Sequence, residues 1–300
     1  MYCVAGPGSF FKEHKDTPRG ENMFATLVVV LPTAHSGGEL VFRQNGTEFK
    51  FDSAAAVDLG SESSGSPSVA FAAFFSDVTH EVLEVRSGYR VTLTWNLYFT
   101  NDSVGTQVTS ALERSLTNAL RAVLADAAFL PRGGILAFRL RHEYPIDAQR
   151  WDRGGFRPLT KLLQGMKGSD AVLFKACKAL SLDPDAQMVY FDEGVEVLCP
   201  GTIYLGYPDQ YVWRECRAAG GRLITEVELE DEWDEDATDQ KLRADVELEW
   251  LTEKCTVDAN SFATPFVAYG NEADLAAAYS TPVLVVEVGP PADRTSQSIC

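Results

Sequence analysis

Short stretches of β-branched and aromatic residues, separated by turn-forming residues, fill the first hundred residues and restrict the folds open to this chain. Strands are predicted at Phe24–Leu31, Leu40–Arg43, Glu48–Phe51, Val69–Phe75 and Arg90–Tyr98. The dipeptide Asn45-Gly46 predicts a tight two-residue turn between the second and third of them. Many short strands with tight turns and almost no helix predict a sandwich or a jelly-roll barrel.

Three potential metal ligands accompany these strands. His14 and Asp16 lie two residues apart, so on an extended segment both side chains point to the same face. His80 follows a predicted strand and would meet them at one mouth of a barrel. Two imidazoles and one carboxylate leave three positions of an octahedron open, a set that suits non-haem Fe(II). A histidine and an aspartate at this spacing are weak evidence alone, because chance produces the pair often.

The motif gains specificity from Arg90, which lies ten residues after His80. With this arginine, residues 8–99 resemble the iron- and 2-oxoglutarate-dependent dioxygenase domain of the prolyl 4-hydroxylase-like superfamily. The similarity is carried by residues 8–17, 26–32, 37–40 and 80–90. It is strongest to a fungal, mostly uncharacterised branch, and a weaker resemblance continues through Tyr269–Ala273 towards the end of the chain.

The resemblance implies roles for five residues. His14, Asp16 and His80 would bind Fe(II), and Arg90 would hold the far carboxylate of 2-oxoglutarate with its fixed guanidinium fork. Thr92, on the same strand face as Arg90, would add a hydroxyl to that carboxylate. The implied cofactors are Fe(II), 2-oxoglutarate as cosubstrate and O2, and the reaction releases succinate and CO2 while a substrate C–H bond is hydroxylated.

Four other residues have more than one interpretation. Many members of the superfamily bind the far carboxylate with a tyrosine from the second strand, where this chain has none, and Thr26 is a candidate substitute. Asp77 is either a turn residue or a partner for a ligand N–H. His35 is interpreted as a loop histidine, and His142 as structural because no second ligand accompanies it in sequence.

The hydrophobic period changes after Val104, where leucines recur at helical spacing. We therefore predict an α+β chain, with an N-terminal double-stranded β-helix (jelly-roll) oxygenase domain at 1–101 and a mixed α+β region of unknown role at 102–300. Helices are predicted at 107–129, Leu159–Met166, Ala171–Leu180 and Ala273–Tyr279, the last with Asn271 as N-cap. Strands are predicted at Ile135–Arg141, Gln187–Phe191, Val195–Leu198, Ile203–Leu205, Leu223–Leu229, Val246–Leu251, Phe266–Tyr269 and Val283–Val288.

Composition limits the partners and the compartment. The formal net charge of −17 makes nucleic acid and anionic membranes poor partners. The chain has neither an apolar run long enough to cross a bilayer nor a secretory signal pattern. Its six cysteines form no CxxC pair, which is typical of free thiols in a reducing compartment. We expect an intracellular protein, cytoplasmic or nuclear, and interpret the acidic run Glu226–Asp236 as a solvated edge.

Three functions are compared. The leading hypothesis is an Fe(II)- and 2-oxoglutarate-dependent hydroxylase acting on a peptide, a protein or a small molecule, with a prolyl residue as one candidate target. The second is a catalytically inactive oxygenase fold that serves as an interaction module. It is favoured by Met1 lying 13 residues before His14, which implies that the N-terminal support of the superfamily is truncated. The third is a cupin-like isomerase or cysteine-type dioxygenase, which the position of Arg90 disfavours. The sequence does not predict the oligomeric state.

Overall fold

A computed structural model describes residues 1–17, 19–20, 22–44, 46–57, 59, 66–99, 110–146, 156–192, 194–203, 211–229, 240–257, 261–269 and 273–294. The chain divides into two compact units, Met1–Gly105 and Thr106–Cys300. The domain boundary predicted between residues 101 and 102 lies outside the described residues and stays a prediction.

The N-terminal unit is built almost entirely of strands. Its elements are β1 (Tyr2–Ala5), β2 (Phe11–His14), β3 (Met23–Val30), β4 (His35–Gly37), β5 (Leu40–Gln44), β6 (Thr47–Phe51), α1 (Ser53–Ala56), β7 (Ala70–Phe75), β8 (Thr79–Val82), β9 (Val85–Gly88) and β10 (Arg90–Tyr98). One antiparallel sheet has the order β1-β10-β3-β7, and a second has the order β2-β8-β5-β6. Strands β4 and β9 pair with each other.

Local sequence explains the hairpin of β5 and β6. The two strands pair from Leu40 with Phe51 to Gln44 with Thr47, which leaves two residues for the turn. Gly46 has a φ of +75°, a conformation that glycine adopts without a steric penalty. The predicted hairpin is confirmed, and the other strands predicted in this unit are observed with small shifts at their ends.

The C-terminal unit mixes helices and strands. Its elements are α2 (Ala111–Ala125), β11 (Gly134–Arg139), β12 (Phe156–Pro158), α3 (Thr160–Gln164), α4 (Gly168–Ala179), β13 (Pro184–Asp192), β14 (Val195–Cys199), β15 (Gly201–Ile203), α5 (Val212–Ala218), β16 (Arg222–Leu223), β17 (Val227–Leu229), β18 (Gln240–Leu242), β19 (Leu248–Trp250), β20 (Phe262–Tyr269), β21 (Ala273–Val288) and α6 (Pro291–Arg294).

The long strand β21 organises the largest sheet of this unit, whose order is β16-β14-β13-β21-β11-β19 with β20 also paired to β21. Alternate residues of its strands face opposite sides, so Leu136 and Leu284 pack in one core while Ile135 and Val285 pack in another. Helix residues such as Leu173 complete the larger core. The described chain is therefore strand-rich and mixed α+β, as predicted for the class.

One predicted helix is wrong. Alanine favours helix, yet residues 273–279 belong to strand β21 and pair with β20 from Ala273 opposite Tyr269 onward. Tyr279 also pairs with Phe191 of β13, so the strand has hydrogen-bonding neighbours on both sides there. Those ladders override a weak local preference. The N-cap predicted at Asn271, and residues 230–236 of the acidic run, lie outside the described residues.

Helices in the described part of the chain are too short or too polar to span a lipid bilayer.

Candidate metal and cosubstrate site

Strand pairing brings the three predicted metal ligands together. His14 ends β2, His80 lies in β8, and the two residues are direct partners in the ladder between these strands. Their ring centroids are 4.2 Å apart. Asp16 follows two residues after His14, and its backbone N–H donates to the carbonyl of Ser76 at 3.1 Å. The second sheet therefore holds both imidazoles, and the loop after β2 brings the Asp16 carboxylate to them.

The geometry of the three side chains fits a metal ion. One ligand atom from each of His14, Asp16 and His80 lies within 4.8 Å of the other two. Nε2 of His80 is 3.9 Å from Oδ1 of Asp16. This spacing leaves room for an ion between the groups, and a set of two imidazoles and one carboxylate is typical of non-haem iron.

Backbone carbonyls fix the tautomers of both histidines. Nδ1 of His14 is 2.9 Å from the carbonyl oxygen of Lys12, and Nδ1 of His80 is 2.9 Å from that of Val78. A carbonyl only accepts hydrogen bonds, so each Nδ1 carries the proton and each Nε2 presents a lone pair. Burial lowers the pKa of His80, which favours the neutral, metal-binding form.

The hydroxyl of Thr26 holds the carboxylate of the site. Thr26 Oγ1 donates to Asp16 Oδ2 at 2.6 Å, which leaves Oδ1 facing His80. Thr26 was a candidate to bind the cosubstrate, but in the structure its partner is Asp16. This contact orients a ligand through its second oxygen, a role that neighbouring groups often have at metal sites.

Arg90 begins β10 and is buried, with 5% of its surface exposed. Its Nε donates to Ser53 Oγ at 3.3 Å, whereas its Nη2 has no hydrogen-bond partner among the described residues. Burial lowers the pKa of Arg90, although a guanidinium stays protonated at any physiological pH. A buried cation with an unused donor is the group expected to receive an anionic ligand.

A cavity of about 300 Å³ connects the metal ligands with Arg90. Its lining includes the three ligands, Thr26 next to Asp16, and Thr92 and Arg90 of β10. Thr92 is buried two residues along β10 from Arg90, on the same inward face. Both sheets thus contribute to one pocket large enough for a small organic ligand.

The comparisons with known proteins agree with this geometry. Residues 1–98 match the family described as the 2OG-Fe(II) oxygenase superfamily. This match covers the N-terminal third of the chain. The superfamily works with Fe(II), 2-oxoglutarate and O2, and the His14, Asp16 and His80 cluster fits the iron. No curated protein matched the chain significantly.

Two solved structures are similar to part of the chain. One is an oxidoreductase of the 2OG-Fe(II) oxygenase family from Burkholderia pseudomallei, with 21% identity and a TM-score of 0.25 over 32% of this chain and 39% of that chain. The other is a prolyl-4-hydroxylase from Pseudomonas putida, with 23% identity and a TM-score of 0.25 over 33% of this chain and 51% of that chain. This chain therefore spans between two fifths and one half of the proteins it resembles.

Two histidines outside the cluster have different surroundings. His142 is buried in the C-terminal unit, and its backbone N–H donates to Asp170 Oδ2 at 3.0 Å. His35 lies on β4 rather than in a loop, and its Nε2 is 3.2 Å from Ser53 Oγ. The contact of Ser53 with both His35 and Arg90 was not predicted. No motif in the sequence marks it, because Ser53 is distant in sequence from both partners.

Proposed function

We propose that the N-terminal unit is an Fe(II)- and 2-oxoglutarate-dependent hydroxylase. The observation that carries the proposal is one cavity lined both by His14, Asp16 and His80 and by Arg90, whose buried Nη2 has no partner among the described residues. The order of strands in its two facing sheets supports a double-stranded β-helix, the fold that the resemblance implies.

Each residue has a separate part in this proposal. His14, Asp16 and His80 would hold the iron, which when bound supplies the oxidising chemistry with 2-oxoglutarate and O2. Arg90 would bind the far carboxylate of 2-oxoglutarate, and Thr92 would add a hydroxyl to it. Thr26 keeps the Asp16 carboxylate in place. The apolar walls of the cavity exclude water from the reacting groups.

The substrate is proposed as a class. The exposed aromatic side chains of Phe10 and Phe11 also line the cavity, so its opening suits an apolar group presented by a peptide, a protein or a small molecule. A prolyl side chain is one such group, proposed by analogy with the superfamily. Nucleic acid is not proposed as a partner, because the chain has a formal net charge of −17.

An inactive interaction module is the weaker alternative. A fold that had lost catalysis would have no requirement for three convergent ligands, fixed imidazole tautomers and a buried arginine in one cavity. A cupin-like enzyme without 2-oxoglutarate is also disfavoured, because Arg90 follows His80 at the spacing of the cosubstrate-binding arginine in the superfamily.

Anaerobic spectroscopy tests the proposal. Fe(II) and then 2-oxoglutarate are added to the apo protein, and the visible charge-transfer band of the bidentate complex should need both additions. Asp16→Ala and His80→Ala should each abolish the band and 2-oxoglutarate turnover while the circular dichroism spectrum is unchanged. Turnover retained in either variant would rule out the ligand assignment. Iron binding with no response to 2-oxoglutarate would favour the cupin-like alternative.

A further inference from the structure

Arg90 is the end of a chain of three buried or half-buried side chains. Its Nε donates to Ser53 Oγ at 3.3 Å, and Ser53 is fully buried. Ser53 Oγ is in turn 3.2 Å from His35 Nε2, and His35 Nδ1 is 2.8 Å from the carbonyl oxygen of Thr33. The chain runs from β10 through the start of α1 to β4, so it joins three separate segments.

With a neutral His35 ring, the hydrogens in this chain have one consistent arrangement. The Thr33 carbonyl only accepts, so His35 Nδ1 carries its proton and Nε2 of the neutral ring is an acceptor. Ser53 therefore donates its hydroxyl hydrogen to Nε2. Its oxygen is left with lone pairs towards Arg90, whose Nε–H donates to it. Each hydrogen bond in the chain then has one donor and one acceptor, and His35 determines which way the serine hydroxyl points.

The same contacts restrict the guanidinium. Arg90 Nε already donates to Ser53, so only the terminal nitrogens can donate to a ligand. Of these, Nη2 is buried and has no partner among the described residues. Gly38 packs against the stem of the side chain, since a Cβ there would lie 2.8 Å from Arg90 Cδ. The arginine is therefore held from two sides before any ligand binds.

We propose that Ser53 and His35 are positioning residues that orient Arg90 for the far carboxylate of the cosubstrate, an inference that rests on the proposed function. A long, flexible arginine loses less freedom on binding when protein contacts already hold it. Ser53 and His35 act on the dicarboxylate through Arg90 alone. Their replacement should therefore weaken recognition of the far carboxylate and leave the metal end of the cavity unchanged.

Comparing the binding of two keto acids distinguishes the positioning role of Ser53 and His35 from a general structural role. 2-Oxoglutarate has both the metal-binding keto acid and the far carboxylate, whereas pyruvate has only the keto acid. Anaerobic titration of the Fe(II)-loaded protein, followed by the charge-transfer band, gives a dissociation constant for each. Ser53→Ala should raise the constant for 2-oxoglutarate about tenfold and leave those for pyruvate and Fe(II) unchanged.

Matched variants complete the experiment. His35→Leu should resemble Ser53→Ala, and His35→Gln should restore part of the affinity because its amide oxygen can accept from Ser53. Ser36→Ala is the control, since Ser36 lies beside His35 on β4 but bonds to Ser87 at 2.7 Å. Its affinity for 2-oxoglutarate should match that of the wild type. In an Arg90→Met background, Ser53→Ala should have no further effect.

The outcomes separate a failure of this inference from a failure of the proposed function. If the wild type forms the band but Ser53→Ala binds 2-oxoglutarate normally, the positioning role is overturned and the proposed function stands. An equal loss of affinity for pyruvate in Ser53→Ala would also overturn it, as would a loss of affinity that persists in the Arg90→Met background. In either case the substitution would not be acting through Arg90 on the far carboxylate. If the wild type forms no band with Fe(II) and 2-oxoglutarate, the proposed function fails and the inference fails with it.

Discussion

The carboxylate of Asp16 depends on a hydroxyl group from another segment for its orientation. Its Oδ2 accepts from the Thr26 hydroxyl at 2.6 Å, and Thr26 is buried on the central strand β3 of the first sheet. Asp16 itself belongs to the loop after β2. The hydroxyl therefore ties a ligand from a loop to a strand, and its loss would free the carboxylate to rotate.

Thr26→Val tests this role at nearly constant volume. We expect the dissociation constant for Fe(II) to rise about tenfold, because a partner that orients a ligand is lost. Anaerobic competition against a chelator measures the change. Thr26→Ser keeps the hydroxyl and should bind iron as the wild type does. If Thr26→Val instead weakened only 2-oxoglutarate binding, the hydroxyl would serve the cosubstrate.

At the level of single residues, the sequence singles out the four residues that line the cavity with their charged or metal-binding groups. It does not reveal the contacts that hold those residues in place. His14, Asp16, His80 and Arg90 could be found because their spacing along the chain is informative. The contacts of Ser53 and Thr26 could not, because each depends on tertiary packing that brings a serine or threonine to a partner far away in sequence. Such residues are common on strands and at helix starts and have no distinctive pattern.

Among the elements, the second sheet has an ionic cluster around Arg43 on β5. The guanidinium donates to carboxylates on three other strands, Glu13 of β2, Glu48 of β6 and Glu81 of β8. Two of these glutamates are the sequence neighbours of the proposed metal ligands His14 and His80. The cluster therefore links the strands that hold the proposed metal site. The hydrogen bond from Arg43 lowers the pKa of the Glu48 carboxyl group.

Arg43→Met should lower the midpoint of thermal unfolding at neutral pH and low salt. The difference from the wild type should shrink in 1 M NaCl, since salt screens exposed charges. It should also shrink as the pH falls through the lowered pKa of Glu48, because that carboxylate stabilises the fold only while it is ionised. Arg86→Met is the control, as Arg86 pairs with Glu39 alone among the described residues. An equal loss in both variants would contradict a special role for the cluster.

Elements with strong local signals are the ones that sequence predicts well. The β5–β6 hairpin has an Asn-Gly turn, and α2 has leucines at helical spacing and Ser110 as its N-cap. Residues 273–279 have only the weak helix preference of their alanines, which points to the wrong element. The observed strand follows from the partners supplied by β13 and β20, which no local window contains.

On the scale of the whole molecule, the two hydrophobic core clusters found among the described residues both lie in Thr106–Cys300. The α+β class was predictable from the change in hydrophobic period. The order of strands in the sheets was not, because it depends on pairings between distant segments such as β1 with β10 and β11 with β21.

Thiol labelling reports the integrity of the C-terminal core. Cys177 is fully buried, and burial raises its pKa to about 12. It should therefore react with iodoacetamide at pH 8 only as fast as the protein unfolds, whereas exposed Cys3 should react at once. Mass spectrometry of digested peptides measures both rates. Fast labelling of Cys177 in the native protein would show that this core opens without global unfolding.

The pairing of His14 with His80 also has a consequence for how the protein folds. The two residues are opposite each other in the β2–β8 ladder, yet most of the N-terminal unit lies between them in sequence. The proposed iron-binding pair therefore forms only after this long loop has closed, and a slip of one residue in β8 would turn His80 to the other face. Under the proposed function, the rate of iron binding during refolding reports the rate at which the second sheet closes.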